Sequence, residues 1–385
     1  MQKETFQNNE VAEFLNRHFI PVKVDRELEP ALDRRLMNFT QRIIGRGGWP
    51  LNVFVTPDGF PIYSVLYAPA SQFLGVLVRL NEVWIQSPER VLELVKNDIV
   101  EALPGTSPNL DRTSFTAITA AARSGVMNHA DSEYGGFGNG QKFPSAPQLE
   151  YLLDHYAANP DATVRKFLEL TLSAMANQGL YDHLAGGFFR YSTDPRWQIP
   201  HFEKMLYDNA NLARVYLLAG DILGRPEFTV IARQTLDFML QRMRHESGGF
   251  ISSFSAVDDQ DIEGGSYLWT REQIIETLQP SAAAMVLELW NLDRDAELLA
   301  GNHPRFAMSL GHYAELHDLD NEVVRERFTE ARSRLLQARD KRGLPEDDKL
   351  VAGWNGLVLT LLVDAAGAFP DSGYDKAALE LRNFL

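Results

Sequence analysis

The sequence predicts a multidomain protein of two classes in tandem: a mixed α/β domain over residues 1–104, then an all-α domain over residues 110–385. Three observations predict it. The first hundred residues alternate helical with extended patterning around one Pro-Asp-Gly turn. From Ser114 onward, amphipathic segments of roughly 12 to 20 residues follow one another with almost no period-two signal. Paired glycines return in the loops between them: GGFG at 135, GGFF at 186, GGFI at 248 and GGSYLW at 264.

In the first domain, residues 4–18 place Phe6, Val11, Phe14 and Leu15 at helical spacings, and FIPVKVD at 19–25 predicts a short strand. Pro30 stands where a helix can begin, and Leu32, Leu36, Phe39 and Ile43 then share one face. After GRGG, the segment WPLNVFVTPDGFPIYSVLYAP predicts a hairpin, and a last helix is expected over 71–101. That order matches an incomplete thioredoxin-like domain, without its first strand and Cys-x-x-Cys turn. It puts Trp49–Pro50 where the fold holds a cis-proline.

In the second domain, Leu168, Leu172 and Met175 share a face, as do Phe228, Ile231, Phe238 and Met239. Glycine turns recurring every fifty to sixty residues suggest helix hairpins. The long aromatic and polar loops at 179–200 and 248–267 suit the mouth of a closed α/α ring better than the short turns of a solenoid. About seven or eight helices can be counted from Ser114.

Acids outnumber bases 52 to 37, and a net charge of -15 opposes nucleic acid and anionic membranes as partners. With no cysteine, disulfides, thiolate zinc sites and thiol nucleophiles are excluded within the chain. No apolar run approaches the roughly 20 residues that span a bilayer, and MQKETFQNNE resembles no secretory signal, so a cytoplasmic location is expected.

Chemistry concentrates in residues 179–219, which hold Asp182, His183, Arg190, Arg196, His201, Glu203, Lys204, Tyr207 and Asp208. Pro200 suits a first helical turn, so His201 is expected at a helix N-terminus whose dipole favours a neutral imidazole, a usable base. Lys204 and Asp208 would share its stripe, with Glu203 and Tyr207 on the neighbouring one. His183, His201, Glu203 and Asp208 are the candidate catalytic set for moving a proton at a carbon beside a carbonyl, with Arg190 steadying the enolate oxygen. Asp182, Arg190, Arg196, Trp197, Tyr207 and Asp258 are the candidate substrate-binding set.

Each has a structural alternative. His201 and Glu203 can cap and salt-link a helix start, His183 can bond loop carbonyls, and the two arginines can tie loops. Trp197, Phe202 and Tyr207 can belong to the core. Asp258, Asp259, Asp261 and Glu263 lack the order of an EF-hand and suit a solvated loop. Glycoside hydrolysis would need two carboxylates across the bond, drawn from Asp182, Glu203, Asp208 and Asp258. GRGGWP lacks nucleotide-binding spacing, and His129, His155, His245, His303, His312 and His317 show no metal spacing. No metal and no cofactor are expected.

PVKVDRELEPALDRRLM and GRGGWPLNVFVTPDG resemble the thioredoxin-like domain of the spermatogenesis-associated protein 20-like family. GGFGNGQKFPSAPQLEYLL, GLYDHLAGGFFRYSTDPRWQIPHFEKMLYDNA, GGFISSFSAVDDQDIEGGSYLWT and KLVAGWNGL resemble its second region, which is similar to six-hairpin sugar enzymes such as N-acylglucosamine and cellobiose 2-epimerases. The resemblance implies a six-hairpin (α/α)6 toroid, which needs twelve helices and is therefore expected to be partial here, and a carbohydrate-active protein, a sugar epimerase or isomerase acting on a small-molecule sugar. Its alternatives are a glycoside hydrolase and a non-catalytic binding or redox-adaptor protein that meets protein partners through the thioredoxin-like domain. The family carries Cys-His-Trp-Cys-His-Val-Met up to the position of Met1, so the chain is expected to be cut short before that motif, and again inside KAALELRNFL. Where relatives resemble Leu-Pro-His before an acidic pair, this chain has Leu344, Pro345, Glu346 and Asp347.

Overall fold

The computed structural model describes residues 1–93 and 112–385, and the chain divides into two units, Met1–Leu110 and Asp111–Leu385. In the first unit, Asn8 caps α1 (Asn9–His18) by accepting the Val11 N–H at 3.2 Å. Pro30 opens α2 (Pro30–Ile44), where its missing N–H is not needed, and Gly45 closes it at φ 78°. β1 (Asn52–Val55) and β2 (Pro61–Val65) form the predicted antiparallel hairpin, whose Gly59 N–H bonds the Thr56 carbonyl at 2.8 Å. α3 (Ala70–Gln86) adds Phe73 and Leu77 to Val11 and Ala68 in the core. Trp49–Pro50 is cis, as predicted.

Three expectations need correction. A single π-turn, Gln2–Phe6, stands ahead of α1, so the regular helix begins later than residue 4. FIPVKVD forms no strand among the described residues, leaving Ile20 92% and Val22 76% exposed. The last helix is interrupted at Ser87 and resumes over residues 88–93, and the rest of the predicted span, from residue 94, lies outside the described residues.

The second unit is built from helices α4 (Arg112–Met127), α5 (Ala146–Ala158), α6 (Ala162–Asn177), α7 (Leu206–Ile222), α8 (Pro226–Phe238), α9 (Arg271–Thr277), α10 (Pro280–Leu289), α11 (Leu310–Leu316), α12 (Asn321–Arg339), α13 (Ala352–Ala368) and α14 (Tyr374–Phe384). That is eleven among the described residues, more than the seven or eight expected. The surplus includes α9 and α11, seven residues each, too short to register a helical period. The expected absence of strands also needs amending. β3 (Tyr191–Ser192) pairs with β4 (Pro200–His201), and β5 (Lys204–Met205), β6 (Ser253–Phe254) and β7 (Glu346–Asp347) form a three-stranded sheet. Strands of two residues leave no alternation to read.

The glycine rhythm is a true structural repeat in three of its four places. Asp131, Asp182 and His245 each donate an N–H to the carbonyl of the second glycine (Gly136, Gly187, Gly249) at 2.9, 3.0 and 2.8 Å. Each accepts from the first glycine in return, and Phe137, Phe188 and Phe250 close the three turns. Gly186 and Gly187 both have φ near +80°, a backbone region that glycine enters without a Cβ clash. The fourth pair differs: Gly264 donates to Ala256 inside a separate Val257–Glu263 hairpin.

Both backbone groups of Phe188 are taken by the Asn209 amide at 2.7 and 3.0 Å, pinning α7 to its turn. Asn355 of α13 does the same for Phe250 at 2.7 and 3.1 Å, across 105 residues of sequence. Residues 256–343 are therefore an insertion between a turn and its helix. They carry α9–α12 around their own core, which includes Ile274, Trp290 and Leu335. The remaining hairpins, α5/α6, α7/α8 and α13/α14, share the larger core, with α7 packed against α5 and α13.

Candidate functional site

The chemistry of residues 179–219 separates into a buried network and a half-buried cluster. Asp182 heads the first. Its Oδ1 accepts the N–H groups of Leu184 and Ala185 at 2.9 and 3.2 Å and Arg339 Nη1 at 3.0 Å; its Oδ2 accepts Arg339 Nη2 at 2.9 Å and Lys204 Nζ at 2.7 Å. Burial opposes the charge, but Arg339 and Lys204 outweigh it and hold the carboxyl well below the usual range. His183 shares a hydrogen bond with the Gln178 carbonyl at 3.0 Å and lies edge-on to Tyr181 and Phe306. Burial pushes it down to about 4, so it is neutral and enclosed. Trp197 is fully buried and donates to the Tyr134 carbonyl at 3.0 Å.

Asp182, His183 and Trp197 thus have their polar groups turned to the protein interior. Arg196 is exposed, with its guanidinium over the Tyr134 ring at 5.2 Å. Asp258 ties its own loop by accepting the Gln260 and Ile262 N–H groups, each at 2.9 Å.

Arg190, His201, Glu203, Tyr207 and Asp208 do come together. His201 does not open a helix: it lies in β4, and α7 begins five residues later at Leu206. The local period is therefore two, not 3.6. His201 and Glu203 stay partly accessible, while Phe202 and Lys204 point into the core at 1% exposure each. Arg190 donates its N–H to the Glu203 carbonyl at 2.9 Å and its Nη1 to Glu203 Oε2 at 2.6 Å. His201 Nε2 stands 3.9 Å from that oxygen, and its Nδ1 meets Glu263 Oε1 at 2.8 Å.

Asp208, in the first turn of α7, is the odd member. Its Oδ2 is buried and has no hydrogen-bond partner among the described residues. Burial, assisted by Glu203 and opposed by Arg190, pushes its pKa up to about 7. Aromatic rings surround these groups. Tyr191 stacks on His201 with centroids 4.9 Å apart, Phe143 lies 4.8 Å from Tyr191, and Tyr207 lies 4.8 Å from Trp354. Phe143, Tyr191 and Trp354 escaped sequence reasoning as site members, and Glu263 was seen only as part of an acidic run. Only Tyr191 sits within the conspicuous stretch. Among the described residues, no three His, Asp or Glu side chains converge to hold a metal ion, and no helix is long and apolar enough to cross a membrane.

A family model described as Thioredox_DsbH, protein of unknown function DUF255, matches residues 1–104. Spermatogenesis-associated protein 20 of Homo sapiens is 32% identical over 399 residues, covering 94% of this chain and 51% of that protein. Its Mus musculus counterpart is 33% identical, covering 94% and 50%. The chain spans about half the length of these curated relatives. Among solved structures, a family 76 glycoside hydrolase from a bovine Bacteroides thetaiotaomicron strain is similar at 9% identity and TM-score 0.43, covering 70% of this chain and 42% of that one. A sugar epimerase from a ruminal bacterium is similar at 12% identity and TM-score 0.32, covering 69% and 86%. Likeness at that level carries no functional argument.

Proposed function

The chain belongs, over the half of its relatives' length that it spans, to the spermatogenesis-associated protein 20-like family, and from that premise we propose that Arg190, His201, Glu203 and Asp208 form a proton-transfer site for a neutral sugar. The carrying observation is Asp208: a buried carboxyl oxygen with no hydrogen-bond partner among the described residues, beside a carboxylate already matched to an arginine. With a pKa of about 7 it can both give and take a proton near neutrality.

His201, oriented through Nδ1 by Glu263, is the complementary base. Arg190 can steady an enolate oxygen while holding Glu203 in place. His183 takes no part, because its ring is bonded within the core. A neutral polyhydroxylated ring suits the setting: the net charge of -15 disfavours anions, the cation is matched by an acid, and aromatic faces stand beside hydrogen-bonding groups. Epimerisation or isomerisation at the carbon next to a carbonyl is the favoured reaction. Glycoside hydrolysis is the second reading, on the observation that Glu203 and Asp208 are neighbouring carboxyls in unlike settings.

Proton NMR of the protein with aldoses, ketoses, N-acylhexosamines and disaccharides in deuterium oxide tests both. Deuterium entering at C2, lost in Asp208→Asn and His201→Gln, supports proton transfer. Its rate should fall as pH rises through about 7 if Asp208 acts as the acid. Cleavage without exchange moves the assignment to hydrolysis, and sugar binding with neither reaction moves it to a binding protein.

A further inference from the structure

We infer that this site has two ring-binding platforms and takes a substrate of at least two linked sugar rings rather than a free monosaccharide. The inference rests on the sugar reading above and deepens it. The first platform is the row of Phe143, Tyr191 and His201, with centroid spacings of 4.8 and 4.9 Å, in which Tyr191 stacks on His201 and Phe143 is tilted by 35° against Tyr191. Its outer ring, Phe143, is 50% exposed.

That exposure is not the mark of a loose surface residue. The preceding Lys142 is fully buried, with its Nζ on Asp131 Oδ2 at 2.5 Å and on the Gly135 carbonyl at 2.7 Å. Its backbone also exchanges hydrogen bonds with Ser192 at 2.9 and 2.8 Å, which locks Phe143 beside Tyr191. Holding an apolar ring half in water on a rigid support leaves uncovered area that a ligand's C–H face can bury.

The second platform is the Tyr207–Trp354 pair, attached to the other end of the acid cluster. His201 belongs to the first platform and stands 3.9 Å from Glu203, whereas Tyr207 immediately precedes Asp208. Arg190 bridges them: it is bonded to Glu203 and lies within electrostatic range of Tyr207 and Asp208. Rings seated on both platforms would bring the atoms that join them to Arg190, Glu203 and Asp208.

Calorimetric titration of the full chain, carrying Asp208→Asn to stop turnover, compares glucose and mannose with cellobiose, mannobiose and maltose. At least one disaccharide should bind tenfold or more tightly than either monosaccharide. Phe143→Ala should weaken that disaccharide by roughly three- to tenfold and narrow its advantage over the monosaccharides, and Phe143→Tyr should restore it. Equal affinities for one ring and two, or an indifferent Phe143→Ala, would overturn the two-platform inference while monosaccharide exchange in deuterium oxide kept the proton-transfer reading. Absence of saccharide binding together with absence of exchange would remove both.

Discussion

Asp182 and Asp208 stand in one stretch of sequence, each facing a basic side chain, and their fates are opposite because their partners differ in number. Asp182 has every oxygen engaged, by two cations and two backbone N–H groups, and its charge is fixed. Asp208 keeps a buried oxygen with no hydrogen-bond partner among the described residues, and the arginine that acts on it, Arg190, is bonded to Glu203. A fully satisfied buried network stabilises one structure; a partly satisfied one leaves a group whose protonation can change during a reaction.

Removing a charge should therefore have opposite effects at the two positions. The largest expected change is at Asp182. Asp182→Asn leaves Arg339 and Lys204 buried without a counter-charge and should destabilise the protein by about 3–5 kcal/mol in urea melts. Asp131→Asn, which strands one buried cation, Lys142, where Asp182→Asn strands two, should cost less; an equal loss would break the comparison. The same buried region sets an acid limit. A carboxyl held low, like Asp182, stabilises above its unfolded value and ceases to do so as pH falls through the folded one. His183, held down to about 4, is bound more tightly by protons in the unfolded chain. Its contribution is full above about 6.5 and is lost as pH falls from there toward about 4. Melting temperatures should drop across that window.

Next in size, and opposite in sign, is Asp208→Asn. The raised carboxyl favours the folded state below its ordinary value, and that advantage disappears as pH rises toward about 7. Above 7 the folded protein holds an ill-solvated charge, which the amide relieves. The variant should be inactive yet more stable at pH 8, by on the order of 1–2 kcal/mol, with the gap closing at pH 5. A variant less stable at pH 8 would place Asp208 with Asp182 among the structural acids.

The smallest effect belongs to Glu263→Gln. Its side chain is 55% exposed, so the pair with His201 is worth at most about 1 kcal/mol and melts should hardly move. Turnover should still fall roughly three- to tenfold, because Glu263 orients the imidazole. A loss of stability without loss of rate would assign Glu263 to holding the insertion alone.

The legible parts of the fold were those with local causes. Pro30 and Gly45 bound α2, Thr56-Pro57-Asp58-Gly59 turns the hairpin, and paired glycines mark the three repeated turns. The β4–β5 segment was misread because Pro200 suits a helix start as well as a strand end, and only pairing with β3 and β6 settles it. The insertion at 256–343 was invisible as such, since nothing local announces that Asn355 answers Phe250.

By itself the sequence determined the order of the two architectures, the turn positions and the stretch where charge and aromatic rings gather, because propensity, capping and patterning act over a few residues. Only the tertiary structure decided which of those charges are neutralised and which stay poised. Arg339 reaches Asp182 from 157 residues away, Trp354 comes to Tyr207 from a later helix, and Glu263 comes to His201 from the insertion. Desolvation and partner number are properties of the assembled neighbourhood, so the same residue types became a structural lock at Asp182 and a chemically available acid at Asp208.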